Sequence, residues 1–269
     1  MRRILGSSIL IIMALGVGIN ASYAADITVQ DITNKMQENI SGMEDMKAEI
    51  TTTTYMGTEM GTMTQMMKYY FKKPDKVKIE IISPVRQTML IIGDNMVIQA
   101  ADGSVSTMNI KQMMGGAGAN QQNFGTDMTK MFESYDTTIN DTLSDKANKK
   151  YMLKLTPKKT FQTVSQENVG MPEKTEITVD YDKGIIIKNR IYSKDNKLMA
   201  EMETKKTRKI KVQADSSKQP GQKKEKEIWM PEVMESTVFL STGQAVKSGI
   251  KIENLQINEG IPDKEFEFK

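Results

Sequence analysis

The sequence predicts a mainly β (α+β) protein: a curved antiparallel sheet forming an incomplete β-barrel with a helical lid. Three observations predict it. Apolar and polar residues alternate through many short runs, the two-residue period of a half-buried strand. The runs are joined by short turns rich in Gly, Pro, Asn and Asp, which suits antiparallel neighbours and gives no length for parallel crossovers. Ten or more such runs occur. A sheet of that many strands must curl or split, and curling leaves a concave apolar face that two short helical pieces can cover.

The chain opens Met1-Arg2-Arg3, followed by an apolar run of 11 residues from Ile9 to Ile19. A membrane-spanning helix takes about 20 such residues. The run has instead the length of a signal-peptide core, and Ser22 and Ala24 supply the small residues of a cleavage site. Residues 1–24 are therefore expected to be a signal peptide cleaved after Ala24, with an uncleaved anchor as the alternative. Residues 25–269 then form one extracytoplasmic domain. Without Cys, the chain has no site for lipidation of the new N-terminus.

A helix is expected from Thr28, with Asp31 three residues on as the partner in a capping box. Val29, Ile32, Met36 and Ile40 give it one apolar face, ending near Gly42. Met67, Tyr69 and Phe71 then alternate with Lys68, Tyr70 and Lys72. After a turn at Lys73-Pro74-Asp75, Val77, Ile79 and Ile81 alternate with Lys76, Lys78 and Glu80. Ser83-Pro84 ends that strand. Met89 to Ile92 follows, then a turn at Gly93-Asp94-Asn95, and Met96 and Ile98 open the next strand before Asp102-Gly103. The meander pauses between Lys111 and Tyr135, where Met113, Met114, Gly115, Gly116 and Gly118 precede a short helix with Met128, Met131 and Phe132 on one side. Strands resume at Tyr151–Leu155, Ile177–Tyr181, Ile185–Ile191 and Leu198–Met202, and again from Ile228 to Ile257.

Composition bears on function. There is no His and no Cys, which removes His-containing triads, thiol nucleophiles, disulfides and the usual zinc sites. No phosphate-binding loop is present, and the acidic pairs Glu44-Asp45 and Asp141/Asp145 lie outside any apolar frame and read as solvated loops. The sequence therefore points to binding rather than catalysis, with no cofactor and no metal. The 23 Met have three readings. They fill the core; some line a deformable apolar pocket; or Met56, Met60, Met63, Met66 and Met67 hold Cu(I).

Removing Arg2 and Arg3 lowers the net charge from +3 to +1. Nine bases and three acids crowd between Lys205 and Glu227, leaving the remainder at −5. This basic stretch, with Pro220-Gly221, is expected to be a hairpin extension that projects from the body at 205–227. Its alternative is a dock for an acidic partner or an anionic membrane. Nucleic acid is not expected, since no aromatics interleave these bases.

The ordered pattern of Tyr69-Tyr70-Phe71-Lys72-Lys73-Pro74-Asp75, Val77-Lys78-Ile79-Glu80, Pro84, Ile91-Ile92-Gly93-Asp94, Tyr151 to Pro157 and Ile252 to Phe266 resembles the LolA family of periplasmic lipoprotein carriers and outer-membrane lipoprotein-sorting proteins. The resemblance implies a periplasmic carrier that shields lipoprotein acyl chains or lipid on the way towards the outer membrane. It further implies an inner-membrane release complex and an outer-membrane acceptor as partners, and action as a monomer. The acyl-binding residues would be Met67, Tyr69, Phe71, Val77, Ile79, Ile81, Met89, Ile91, Met96 and Ile98 on the sheet, with Met113, Met114, Met128, Met131 and Phe132 on a lid. Lys68 and Lys78 would face away. The family's Lys-Arg-Pro turn reads Lys72-Lys73-Pro74 here, so Lys73 would be the lid latch, a point charge in place of a bidentate fork. An envelope sensor resembling the RseB regulators, or a structural envelope protein, are the alternatives.

Overall fold

The computed structural model describes residues 26–56, 61–109, 132–158, 172–214, 224–240 and 242–268. Helix α1 spans Val29–Ile40. Thirteen strands follow: β1 Asp45–Tyr55, β2 Thr62–Lys72, β3 Lys76–Ser83, β4 Gln87–Ile92, β5 Asn95–Ala100, β6 Val105–Asn109, β7 Tyr135–Ile139, β8 Lys150–Pro157, β9 Lys174–Asp180, β10 Ile185–Tyr192, β11 Leu198–Ala214, β12 Lys224–Phe239 and β13 Ala245–Ile257. All belong to one antiparallel sheet in the order β6-β5-β4-β3-β2-β1-β13-β12-β11-β10-β9-β8-β7. The chain thus runs outwards from β1 to one edge and returns from the other edge to β13, which pairs with β1. The edges β6 and β7 are consecutive in sequence and do not pair with each other, so the sheet curves into a barrel that stays open there.

Helix α1 starts as its sequence dictates. The Thr28 hydroxyl accepts from the Asp31 N–H at 3.1 Å, and the Asp31 carboxylate accepts from the Thr28 N–H at 2.9 Å, a reciprocal cap for two otherwise orphaned donors. The Thr28 hydroxyl also donates to the Asp31 carboxylate at 2.6 Å; that bond first, and then the one from the Thr28 N–H, hold the Asp31 carboxyl below its ordinary value. The apolar face then buries Ile32 and Met36 against Phe132, Tyr135, Leu153, Leu155, Ile177 and Val179. Burying side chains of this size stabilises by about 1.5–3 kcal/mol each, which holds a helix of 12 residues that would be marginal alone.

Polar contacts at the C-terminal half of α1 decide where the helix sits. The Asn39 carboxamide donates to the Trp229 carbonyl at 2.9 Å and accepts from the Trp229 N–H at 2.8 Å. It thereby imitates a neighbouring strand beside β12, below the stretch Val233–Phe239 that pairs with β13. Gly184, at φ +63°, lies under the helix; a Cβ there would stand 2.5 Å from the Lys35 carbonyl oxygen. Asn39→Ala is expected to leave both Trp229 backbone groups unpaired and to cost about 2 kcal/mol. Urea unfolding measures this, and a change below about 0.5 kcal/mol would mean that water satisfies Trp229 equally well.

The basic stretch requires a correction. Its described residues, 205–214 and 224–227, do not project from the body. Lys205 to Gln213 is β11 and Glu225 to Glu227 is β12, paired across the sheet. Their alternate residues Val212 and Ile228 are 2% and 0% exposed in the main core. Lys209 and Lys211 lie on the other parity, in the cross-strand pairs Lys209–Glu227 and Lys211–Glu225, whereas Arg208 and Lys226 share the parity of Ile210 and Ile228. Arg208 donates to the Ile252 carbonyl at 3.4 Å, and Lys226 reaches the end of α1. Residues 215–223, with Pro220-Gly221, lie outside the described residues.

A second departure concerns Lys78, which is 1% exposed. It alternates with Val77 and Ile79 as expected and so lies on the convex face. That face is covered there by the segment after β13, whose 3-10 turn Asp263–Phe266 packs Ile261 and Phe266 on Tyr70 and Leu90. The Lys78 ammonium donates to the Glu267 carbonyl at 3.0 Å and pairs with Glu80 at 2.9 Å. Burial, and then the Glu80 charge, push the neighbouring Tyr70 hydroxyl up to about 12. Lys72 and Lys76 clamp the same segment through Asp263.

Candidate functional site: the concave apolar face

Because side chains directly opposite one another share a face, the strand register reads out the concave surface in rows. The first row runs Ile257, Met46, Phe71, Val77, Ile91, Met96 and Met108, across β13 and β1 to β6. The second runs Ala48, Tyr69, Ile79, Met89 and Ile98. The third runs Ile252, Ile50, Met67 and Ile81. Exposure rises from row to row. Every member of the first row but Met108 is buried, under the end of α1 and the inward side of β11 and β12. In the second row, Ile79, Met89 and Ile98 are only half-buried, and in the third row so are Ile50, Met67 and Ile81. Beyond them the face becomes mixed: Thr52 stands between Gln65 and Ile250, and Thr54 between Met63 and Ser248, whose hydroxyl pairs with that of Thr54 at 2.9 Å.

The ten sheet residues named from the sequence therefore lie together on one face in three adjacent rows. They divide by burial: Phe71, Val77, Ile91, Met96 and Tyr69 are core, and the remaining five are the open part. Burial pushes the Tyr69 hydroxyl well above its ordinary value. Phe132 is 8% exposed and packs with Ile32 and Met36 of α1. Met113, Met114, Met128 and Met131 lie outside the described residues. Sequence reasoning missed Met46, Met108, Ile210 and Met230, which complete or adjoin the same apolar surface. The alternation of Ile210 and Val212 with Lys209 and Lys211 was the available signal.

Lys73 reaches the helix. Its ammonium donates to the Ser41 carbonyl at 3.3 Å and pairs with Glu44 at 3.0 Å, in the turn between α1 and β1. A second lysine converges there: Lys226 of β12 donates to the Glu38 carbonyl and to the Ser41 hydroxyl. Burial lowers the Lys226 pKa, opposed by Glu38 and reinforced by Lys35 and Lys73. Carbonyls at a helix C-terminus lack intrahelical donors, so both cations sit where the helix end favours them.

Of the acidic pair, Glu44 is exposed in the turn before β1, as expected, and Asp45 is not. Asp45 is 7% exposed and accepts from the Glu259 and Gly260 N–H groups at 3.1 and 3.0 Å, which anchors the start of the C-terminal segment. Strand alternation puts Met66 on the opposite face from Met63 and Met67, so these three thioethers do not converge. Among the described residues, no group of three His, Cys, Asp or Glu side chains could hold a metal ion.

No protein-family model matches the chain, and no curated protein matches it either. Solved structures do. A DUF1329 family protein from Desulfovibrio piger superposes with a TM-score of 0.60 at 17% identity, over 88% of this chain and 95% of that one. An outer membrane lipoprotein-sorting protein domain from Vibrio parahaemolyticus gives 0.59 at 14% identity, over 88% and 94%. A LolA superfamily protein from Nitrosomonas europaea gives 0.56 at 15%, over 90% and 98%. At such identities the likeness is one of fold: the chain has the LolA-like fold.

Proposed function

We propose that this chain, built on the LolA-like fold, is a periplasmic lipid-binding carrier that shields the acyl chains of lipoproteins during transfer towards the outer membrane. The role is binding, not catalysis. The observation that carries it is the graded concave face: a buried apolar floor continuous with half-buried Ile50, Ile79, Ile81, Met67, Met89 and Ile98. Each acyl methylene taken out of water there is worth about 0.8 kcal/mol, so a surface of this kind holds a lipid tail that cannot otherwise cross an aqueous gap. Methionines suit the task because a flexible, polarisable side chain repacks around tails of different length. The sheet is open between β6 and β7, which allows the barrel to widen without breaking ladder hydrogen bonds. No helix among the described residues is long and apolar enough to cross a membrane.

Native mass spectrometry of the secreted protein, followed by titration with a triacylated lipopeptide and its deacylated form, tests the reading. The acylated form alone is expected to bind. Equal binding of both, or of neither, would overturn it.

A further inference from the structure

Large apolar side chains exposed to solvent are unevenly placed. Among the described residues, nine of the eleven lie on three hairpins, β1–β2, β3–β4 and β12–β13, and all of these but Ile92 lie towards the hairpin tips. In the sheet order β4-β3-β2-β1-β13-β12 these hairpins are immediate neighbours, so their tips form one continuous rim. The most exposed at the rim are Val85 at 68%, Tyr55 at 55%, Met66 at 47% and Val238 at 44%, followed by Leu240 at 42% and Phe239 at 40%. Around the tips, over residues 55–56, 61–63, 82–87, 238–240 and 242–245, the sole ionisable side chain apart from the Tyr55 phenol is Arg86. The opposite end of the sheet is the reverse: it carries ion pairs such as Lys73–Glu44, Lys72–Asp263 and Lys149–Asp182.

We propose that this rim docks on a lipid bilayer surface. A contiguous exposed apolar patch marks an interaction site, and three features select a bilayer as its occupant. The apolar groups are exposed on three separate hairpins, an arrangement that suits a soft interface better than a single rigid partner. Among the described tip residues no carboxylate stands to be repelled by phosphate; Glu59, in the β1–β2 turn, lies outside them. Arg86 follows Val85 directly, so its charged head can stay at headgroup level while Val85 enters the acyl boundary. The inference builds on the acyl-binding reading, because the half-buried rows of the concave face lie towards this same end of the strands. Docking by the rim would set the open part of the binding face against the membrane that supplies or receives the tails.

Flotation with vesicles of phosphatidylethanolamine and phosphatidylglycerol tests the proposal, using the full mature chain. The combined substitution Val85→Ser and Leu240→Ser is expected to weaken vesicle binding about ten-fold or more. Leu143→Ser, at an equally exposed site on the other end (59%), is expected to leave it unchanged. With one cation at the rim, replacing phosphatidylglycerol by neutral lipid should weaken binding by no more than about five-fold. Vesicle binding that survives the double substitution, or that is absent in the unaltered chain, would overturn the proposal. So would a concentration-dependent dimer abolished by the same substitutions, which would make a second copy the occupant. Lipopeptide binding measured on the same preparations separates the two readings: if it persists while flotation fails, only the rim proposal falls.

Discussion

Phe71→Ala is expected to destabilise the fold by about 3–5 kcal/mol, the range for deleting a fully buried aromatic side chain. Phe71 is 0% exposed and stands in the first concave row between Met46 and Val77. Its ring packs within the cluster that also receives Val212 and Ile228 from the far side of the barrel. Both walls would lose contacts at once, and neither can collapse independently, because each is fixed by its own strand ladder. The cavity term should therefore add to the transfer term. Urea unfolding measures the change. A loss under about 1 kcal/mol would show that the two walls are not packed on each other through this ring.

Lys78→Ala should cost about 2–4 kcal/mol, somewhat under the usual penalty for breaking a buried ion pair because Glu80 is partly exposed. The ammonium pairs with Glu80, whose carboxylate also accepts from the Tyr70 hydroxyl at 3.4 Å, and it ties the Glu267 carbonyl of the C-terminal segment. Removing it takes this cation away from a carboxylate then held by Tyr70 and opens space between Tyr70 and Leu90, beneath the C-terminal segment. Lys78→Met with Glu80→Gln keeps the volume and removes both charges, and should recover most of the loss, since a buried pair is often replaceable by neutral groups. Limited proteolysis reports the segment itself: Lys78→Ala should expose bonds after Ile261 to cleavage, and the double variant should not. If the double variant is as unstable as Lys78→Ala, the stem volume and charge pairing assigned to Lys78 are wrong.

How far the sequence could be read depended on distance along the chain. The capping box at Thr28 and the 3–4 spacing of Val29, Ile32, Met36 and Ile40 are local, and α1 follows from them. The alternation in Met67–Phe71 and Val77–Ile81 is local too, and it placed the concave residues on one face. What was not legible needs partners far away in sequence. Nothing around Lys78 announces that residues 261–267 fold back over it. Nothing near Asn39 names Trp229 as its partner, 190 residues on. The gradient of exposure across the rows is likewise set by where α1 and β11–β12 close over the sheet. The basic stretch is a different case: Lys209, Ile210, Lys211 and Val212 carry a strand's period, but net charge outweighed it in the reading. The lid expected over 113–132 lies outside the described residues apart from Phe132.

Residue-resolved mapping of a bound acyl chain tests the central claim most directly. A triacylated lipopeptide with a photoreactive group on one tail would be bound to the protein, irradiated, and its adducts located by tandem mass spectrometry. The account predicts adducts on the half-buried second and third rows, at Met67, Ile79, Ile81, Met89 and Ile98. Adducts confined to the opposite parity, at Lys68, Glu80 or Thr88, would contradict it, because the tail would then lie on the convex face.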